Sequence, residues 1–241
     1  MTTAVATNPW PGRRVLAAAR VHLTNWPMAL GFPLGVMASS FAINAVIFSA
    51  IDDAVETAVT GGLASLYIVQ FIVCWQGLFQ NFSFAVGLNV TRRSFYAASV
   101  LVAAGQSLVF GLLLYAAGFV ERATHGWGVG LRFFGPVSAL DNGSPLTIAL
   151  YAVPLLLTSA AGLFLGAVGK RWGAVGVFVL SVLLTLVAGG AVALVFALDG
   201  WPTVLDWLRG QPVAALAAGW PLVPTVLALA AGWLVLRRAV P

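Results

Sequence analysis

Long apolar runs without a charged residue constrain this chain more than any other feature. They cover about 27–50, 63–88, 95–119, 146–166, 173–198 and roughly 211–236. A bilayer's hydrocarbon core, about 30 Å thick, takes ~20 helical residues to cross, so each run is long enough to be a span. Together they use most of the 241 residues, which leaves room for a single transmembrane domain over 1–241. The runs are continuous and lack period-two alternation, which argues against a β-barrel. The expectation is an all-α polytopic membrane protein with six transmembrane helices.

Charge sorts by parity of the connecting segments. Arg13, Arg14 and Arg20 precede the first run, and Arg92 with Arg93, Lys170 with Arg171, and Arg237 with Arg238 follow on the same side. The acids Asp52, Asp53, Glu56, Glu121, Asp141, Asp199 and Asp206 all fall on the other side, with Arg122, Arg132 and Arg209 among them. Lys/Arg excess in short loops marks the cytoplasmic face, so both termini are expected in the cytoplasm and the chain in the plasma (cytoplasmic) membrane. Trp26 and Trp172 at one boundary and Trp201 and Trp207 at the other fit an aromatic belt. The net charge of +5 sits in pairs at helix ends, where it orients the chain and meets anionic lipid headgroups; it is no sign of nucleic-acid binding.

Between the runs, residues 9–24 read as an amphipathic helix on the cytoplasmic face: Val15, Leu16, Ala19 and Leu23 share one side, Arg13 and Arg20 the other. In the tight turn at 87–96, Asn89 or Thr91 is expected to cap the helix that follows. The stretch at 201–221 mixes Trp201, Trp207 and Trp220 with Asp206, Arg209 and prolines. It reads as a re-entrant dip over 202–218 into the outer leaflet, followed by a last span over about 219–236; the other possibility is one long span from Gln211.

Catalytic chemistry is scarce. His22 and His125 belong to opposite faces, and no run holds an Asp, Glu, Lys or Arg in its middle, which argues against proton coupling. The 166–172 segment superficially resembles a phosphate loop, but the position of the leading glycine is Phe164 and the residue after Lys170 is Arg171. The chain is therefore expected to be no enzyme, to have no catalytic or metal-ligating residue, and to bind no cofactor of its own. What the runs do contain is uncharged polarity: Ser40, Asn44, Gln70, Gln76, Gln80, Asn81, Gln106, Thr158 and Ser159. Gln76 and Gln80 share a helix face that Asn44 can meet, so these amides either fix the bundle or line a substrate path. Gly162 and Gly166, extended by Gly169 and Gly173, form a close-packing ridge, and Gly105 with Gly111 offers another.

These features together resemble the membrane (permease) subunit of a type-two ATP-binding-cassette exporter, in a small actinobacterial-like form. The likeness rests on the span count, the interfacial helix, the segment GLNVTRRSFY at 87–96, FAINAVIF in the first run and ERATHGWGVG after the third. It covers the whole chain. The resemblance implies a partner: two copies of a cytosolic ATPase that carry ATP and Mg, docked beneath a pair of permease subunits, identical or homologous. It implies that Asn89, Val90, Thr91, Arg92, Arg93, Ser94 and Phe95 form the ATPase-coupling turn, with Lys170 and Arg171 a secondary contact. It also implies export of a hydrophobic or amphiphilic compound such as a drug, antibiotic, peptide or lipid. A non-transporting membrane anchor or immunity subunit and an ion-coupled secondary carrier are the competing readings.

Overall fold

The helices of the computed structural model follow the apolar runs. The structure describes Ala19 and residues 27–50, 60–134 and 146–239. The interfacial helix expected over 9–24, apart from Ala19, and the acids Asp52, Asp53, Glu56 and Asp141 lie outside the described residues. In order come α1 (Phe32–Ser49, entered through a π-helical turn at Pro27–Gly31), α2 (Ala64–Gly87, entered through a 3-10 turn at Gly61–Leu63) and α3 (Arg92–Ala123). Then follow α4 (Leu146–Ala197), the short α5 (Trp201–Gly210) and α6 (Trp220–Leu236). No strand occurs among the described residues. Among the described residues, five helical runs are long and apolar enough to cross a membrane: Pro27–Ser49, Gly61–Gly87, Arg92–Ala123, Leu146–Ala197 and Ala215–Leu236.

The 52 residues of α4 would reach roughly 78 Å as a straight rod, more than twice the hydrocarbon thickness. The chain resolves this at Gly173, whose φ of 66° and ψ of −158° belong to a region open essentially to glycine alone. A Cβ placed on Gly169 lies 3.5 Å from Val177 Cγ2. In an unbroken helix those residues stand ~12 Å apart along the axis, so the chain folds back here. The apolar runs suggested a connecting segment over 167–172. It is helical, and the reversal is concentrated in one residue because a glycine-only backbone conformation needs no loop to turn the chain.

The half of α4 before the break is the centre of the bundle, packed between α2 and α3 with α6 alongside. Its buried positions, among them Thr147, Tyr151, Leu155, Ser159, Leu163 and Gly166, recur at helical spacing. A Cβ on Gly162 would strike the Phe71 carbonyl of α2, and one on Gly166 would sit 2.9 Å from the Trp75 carbonyl. These glycines therefore let two backbones touch within the chain. A Cβ on Gly169 would lie 3.2 Å from the Phe79 ring, and one on Gly111 of α3 would lie 2.9 Å from the Ala152 Cβ. Gly105 has no neighbour within 4 Å, and Gly173 serves as the break and not as part of the ridge.

Two apolar cores sit at opposite ends of the bundle. One joins Leu78, Phe82, Phe95, Tyr96, Leu163 and Leu236, near the Arg92 turn. The other joins Leu66, Phe110, Leu114, Phe133, Tyr151 and Leu155. Glu121, only 3% exposed, organises that second end: Oε2 accepts hydrogen bonds from Phe133 N (2.8 Å), Phe134 N (2.9 Å) and Trp127 Nε1 (3.3 Å). Tyr151 donates its hydroxyl to the Phe134 carbonyl at 2.6 Å. Phe41 of α1 closes the cluster edge-on against Trp127 and Phe133.

After α4, Asp199 takes φ 46° and Gly200 N donates to the Val195 carbonyl, a left-handed stop of the Schellman kind. α5 buries no residue and carries the exposed Asp206–Arg209 pair at 3.5 Å. Gln211 is extended, and the π-helical turn Ala215–Gly219 then runs straight into α6.

Candidate functional site

Two places bring together residues singled out by their chemistry. The first is the turn between α2 and α3. α2 ends in a Schellman motif: Asn89 adopts φ 59° and donates its N–H to the Val86 carbonyl, and Val90 N reaches the Ala85 carbonyl. Asn89 therefore stops one helix while Thr91 starts the next. Thr91 Oγ1 accepts the Ser94 N–H at 3.2 Å and contacts Ser94 Oγ at 2.9 Å. Arg92 Nη1 donates to the Arg237 carbonyl at 2.9 Å, tying the turn to the end of α6. Arg93 is exposed and makes no hydrogen bond or ion pair among the described residues. Phe95 points the other way, buried in the core 5.8 Å from the Phe82 ring, so the exposed part of the segment is Asn89 with Thr91 and Arg93.

Lys170 and Arg171 occupy the last helical turn before Gly173. Lys170 Nζ donates to Ser83 Oγ at 3.0 Å and lies 4.8 Å from the Phe79 ring centre. Arg171 stacks over Trp172 at 4.4 Å. Ser83 stands near the end of α2, so these cations share the end of the bundle that carries Arg92 and Arg237.

The second place is a cavity of about 390 Å³ among the beginning of α1, the middle of α2 from Val69 to Asn81, the first half of α3 and Leu163 of α4. Gln76 and Gln80 line it, joined by Asn81, Cys74, Ser99 and Gln106. Apolar walls come from Met28, Phe32, Ile72, Val73, Val102 and Leu163. Ala19 packs on Ala98 and Val102 beside it. Asn44 is not part of this cavity; its amide donates to the Ser40 carbonyl of its own helix at 2.8 Å.

Behind the cavity lies a polar node that sequence reasoning did not assemble. Gln70, fully buried, points Nε2 at Gln106 Oε1 (3.2 Å) and at Ser159 Oγ (3.1 Å). Gln106 Nε2 in turn donates to the Ala29 carbonyl at 2.8 Å. That carbonyl is free because the residue four positions on is Pro33, which has no N–H to offer. The node thereby links α1, α2, α3 and α4 through two amides. Gln70 Oε1 is left buried without a partner. The clue in the sequence was the pairing of a proline-freed carbonyl with amides at matching depth; the register between helices was not readable.

Among the described residues, no group of three or more His, Cys, Asp or Glu side chains gathers as a metal site would require. No protein-family model, no curated protein and no solved structure matches this chain.

Proposed function

We propose that this chain is the permease subunit of an ATP-binding-cassette exporter, drawing its energy from a separate cytosolic ATPase. On this reading the fold-back at Gly173 divides α4 into two spans and brings the total to six. The parity of charge sets both termini and the Arg92 turn in the cytoplasm, and α5 rests at the outer surface of the plasma membrane, its exposed Asp206 and Arg209 in water and its tryptophans in the interface.

The observation that carries the reading is the 89–94 turn. This turn is fixed at both helix ends and bonded to the C-terminal end of α6 through Arg92. A turn held this way, with Arg93 left exposed, is suited to seat in a groove on an ATPase and pass its movement to α2 and α3. Lys170 and Arg171 add positive charge to the same end. A second permease subunit completes the assembly, and its natural contact is the bare half of α4 after Gly173.

The test is co-purification. The chain in detergent is expected to hydrolyse no ATP alone and to stimulate an ATPase purified with it. Arg93→Glu is expected to abolish that stimulation with protein yield unchanged. Unaltered stimulation in this variant rejects the docking assignment, and transport driven by an ion gradient without any ATPase rejects the exporter reading.

A further inference from the structure

The cavity beside Gln76 has a lining whose chemistry selects its occupant. Hydroxyls inside the helices are satisfied locally: Ser107 and Ser181 each donate to the carbonyl four residues back, at 2.8 and 2.9 Å. The amides of Gln76, Gln80 and Asn81 have no hydrogen-bond partner among the described residues, and all three face the cavity. An amide left unpaired in hydrocarbon is costly. Gln76 stands eleven residues before the end of α2 at Gly87, roughly 16 Å along the axis, which is near the middle of a bilayer. Gln76 and Gln80 are exposed into this opening and Asn81 is half-buried, so on the membrane reading a molecule that fills the cavity supplies the partner the amides lack.

Among the described residues the lining holds no Asp, Glu, Lys, Arg or His. An ion entering it would lose its hydration and meet no opposite charge. Side-chain amides offer donor and acceptor together, and the rest of the lining, with Phe32, Ile72, Val102 and Leu163, is apolar. The volume of about 390 Å³ falls in the range of small-molecule sites. The geometry points to a binding site, inside one protomer, for an uncharged amphiphile whose head both donates and accepts hydrogen bonds. Its head lies against Gln76, Gln80 and Asn81, and its tail against the apolar wall. That this molecule is the exported cargo rests on the exporter reading; that it binds does not.

The experiment uses the full chain in phosphatidylcholine nanodiscs, with no ATPase present. The probe is N-decyl-dansylamide, an uncharged sulfonamide whose saturable fluorescence enhancement reports binding. Decanamide, decanoate and decyltrimethylammonium, which share one alkyl chain, compete for it. Decanamide is expected to displace the probe about tenfold better than either ion, and Gln76→Leu with Gln80→Leu to weaken probe binding about tenfold. Gln80→Glu, which keeps the side-chain shape, is expected to shift the preference toward decyltrimethylammonium. Equal displacement by the ions, no saturable binding, or a Gln80→Glu chain with unchanged preference overturns the site. Binding without ATPase stimulation removes the exporter reading and leaves the site standing; stimulation without binding does the reverse.

Discussion

The two halves of α4 are similar in composition and opposite in surroundings. Before Gly173, the helix buries Tyr151, Leu155, Ser159, Leu163, Gly166 and Ala167 against three neighbours. After it, no residue from Trp172 to Asp199 is buried, and Val175, Val187 and Leu198 are each about 70% exposed. Hydrophobicity does not distinguish the halves, because lipid tails are as apolar as leucine and give no force that drives one helix onto another. What separates them is small residues placed opposite a backbone. Gly162 and Gly166 meet the Phe71 and Trp75 carbonyls, whereas Gly189 and Gly190, equally small, have nothing within 4 Å.

The largest effect on this contrast comes from filling the tight side. Gly162→Leu forces α2 away and is expected to cost about 3 kcal/mol, read as loss of the monodisperse peak and a lowered Tm in detergent. Gly189→Leu, the matching change on the bare side, is expected to leave both unchanged. A Gly189→Leu chain as damaged as the first would mean that a partner already covers that half.

Next comes the boundary itself. Gly173→Ala places a Cβ where the backbone excludes one and is expected to cost about 2 kcal/mol. Accessibility labelling of a cysteine introduced at Val177 should then rise, since Val177 no longer lies against Gly169. Removing the polar tie to the packed half is smaller: Gln106→Leu strands the Ala29 carbonyl and takes one partner from Gln70, about 1.5 kcal/mol in thermal unfolding. A double-mutant cycle with Ser159→Ala sharpens this, because both residues meet Gln70 and their effects should not add. The smallest change lies at the far end of the bare half. Asp199→Ala sits at φ 46° and is expected to cost about 1 kcal/mol, while Asp199→Gly should lose nothing. Equal melting of the two variants would show that the left-handed stop contributes nothing.

Much of the helical layout was legible because spans are a one-dimensional signal. At the α2–α3 turn the sequence offered Asn89 or Thr91 as the cap of the following helix; Thr91 takes that place, because cap chemistry is local, whereas Asn89 stops α2 instead. The glycine ridge was visible as spacing, though not that it would meet α2, nor that Gly173 would leave it to break the helix. Glu121 read as a plain marker of the acidic face; its burial depends on the N–H groups of Phe133 and Phe134, which leave no trace in side-chain pattern. In the candidate path, Gln76 and Gln80 do share a cavity, while Asn44 belongs to its own helix and Gln106 takes the place expected of it. Which amide meets which is set by how helices cross, and crossing geometry is written in packing, not in periodicity.

The pinned corner at Asn89–Thr91 also limits how this molecule can move. With a left-handed stop on one side, a threonine cap on the other and Arg92 clipped to the Arg237 carbonyl, the corner has almost no compliance of its own. On the exporter reading, a push delivered at Arg93 would pass through this corner to the stems of α2, α3 and α6 instead of being absorbed as loop fluctuation, and the chain would respond as a stiff lever.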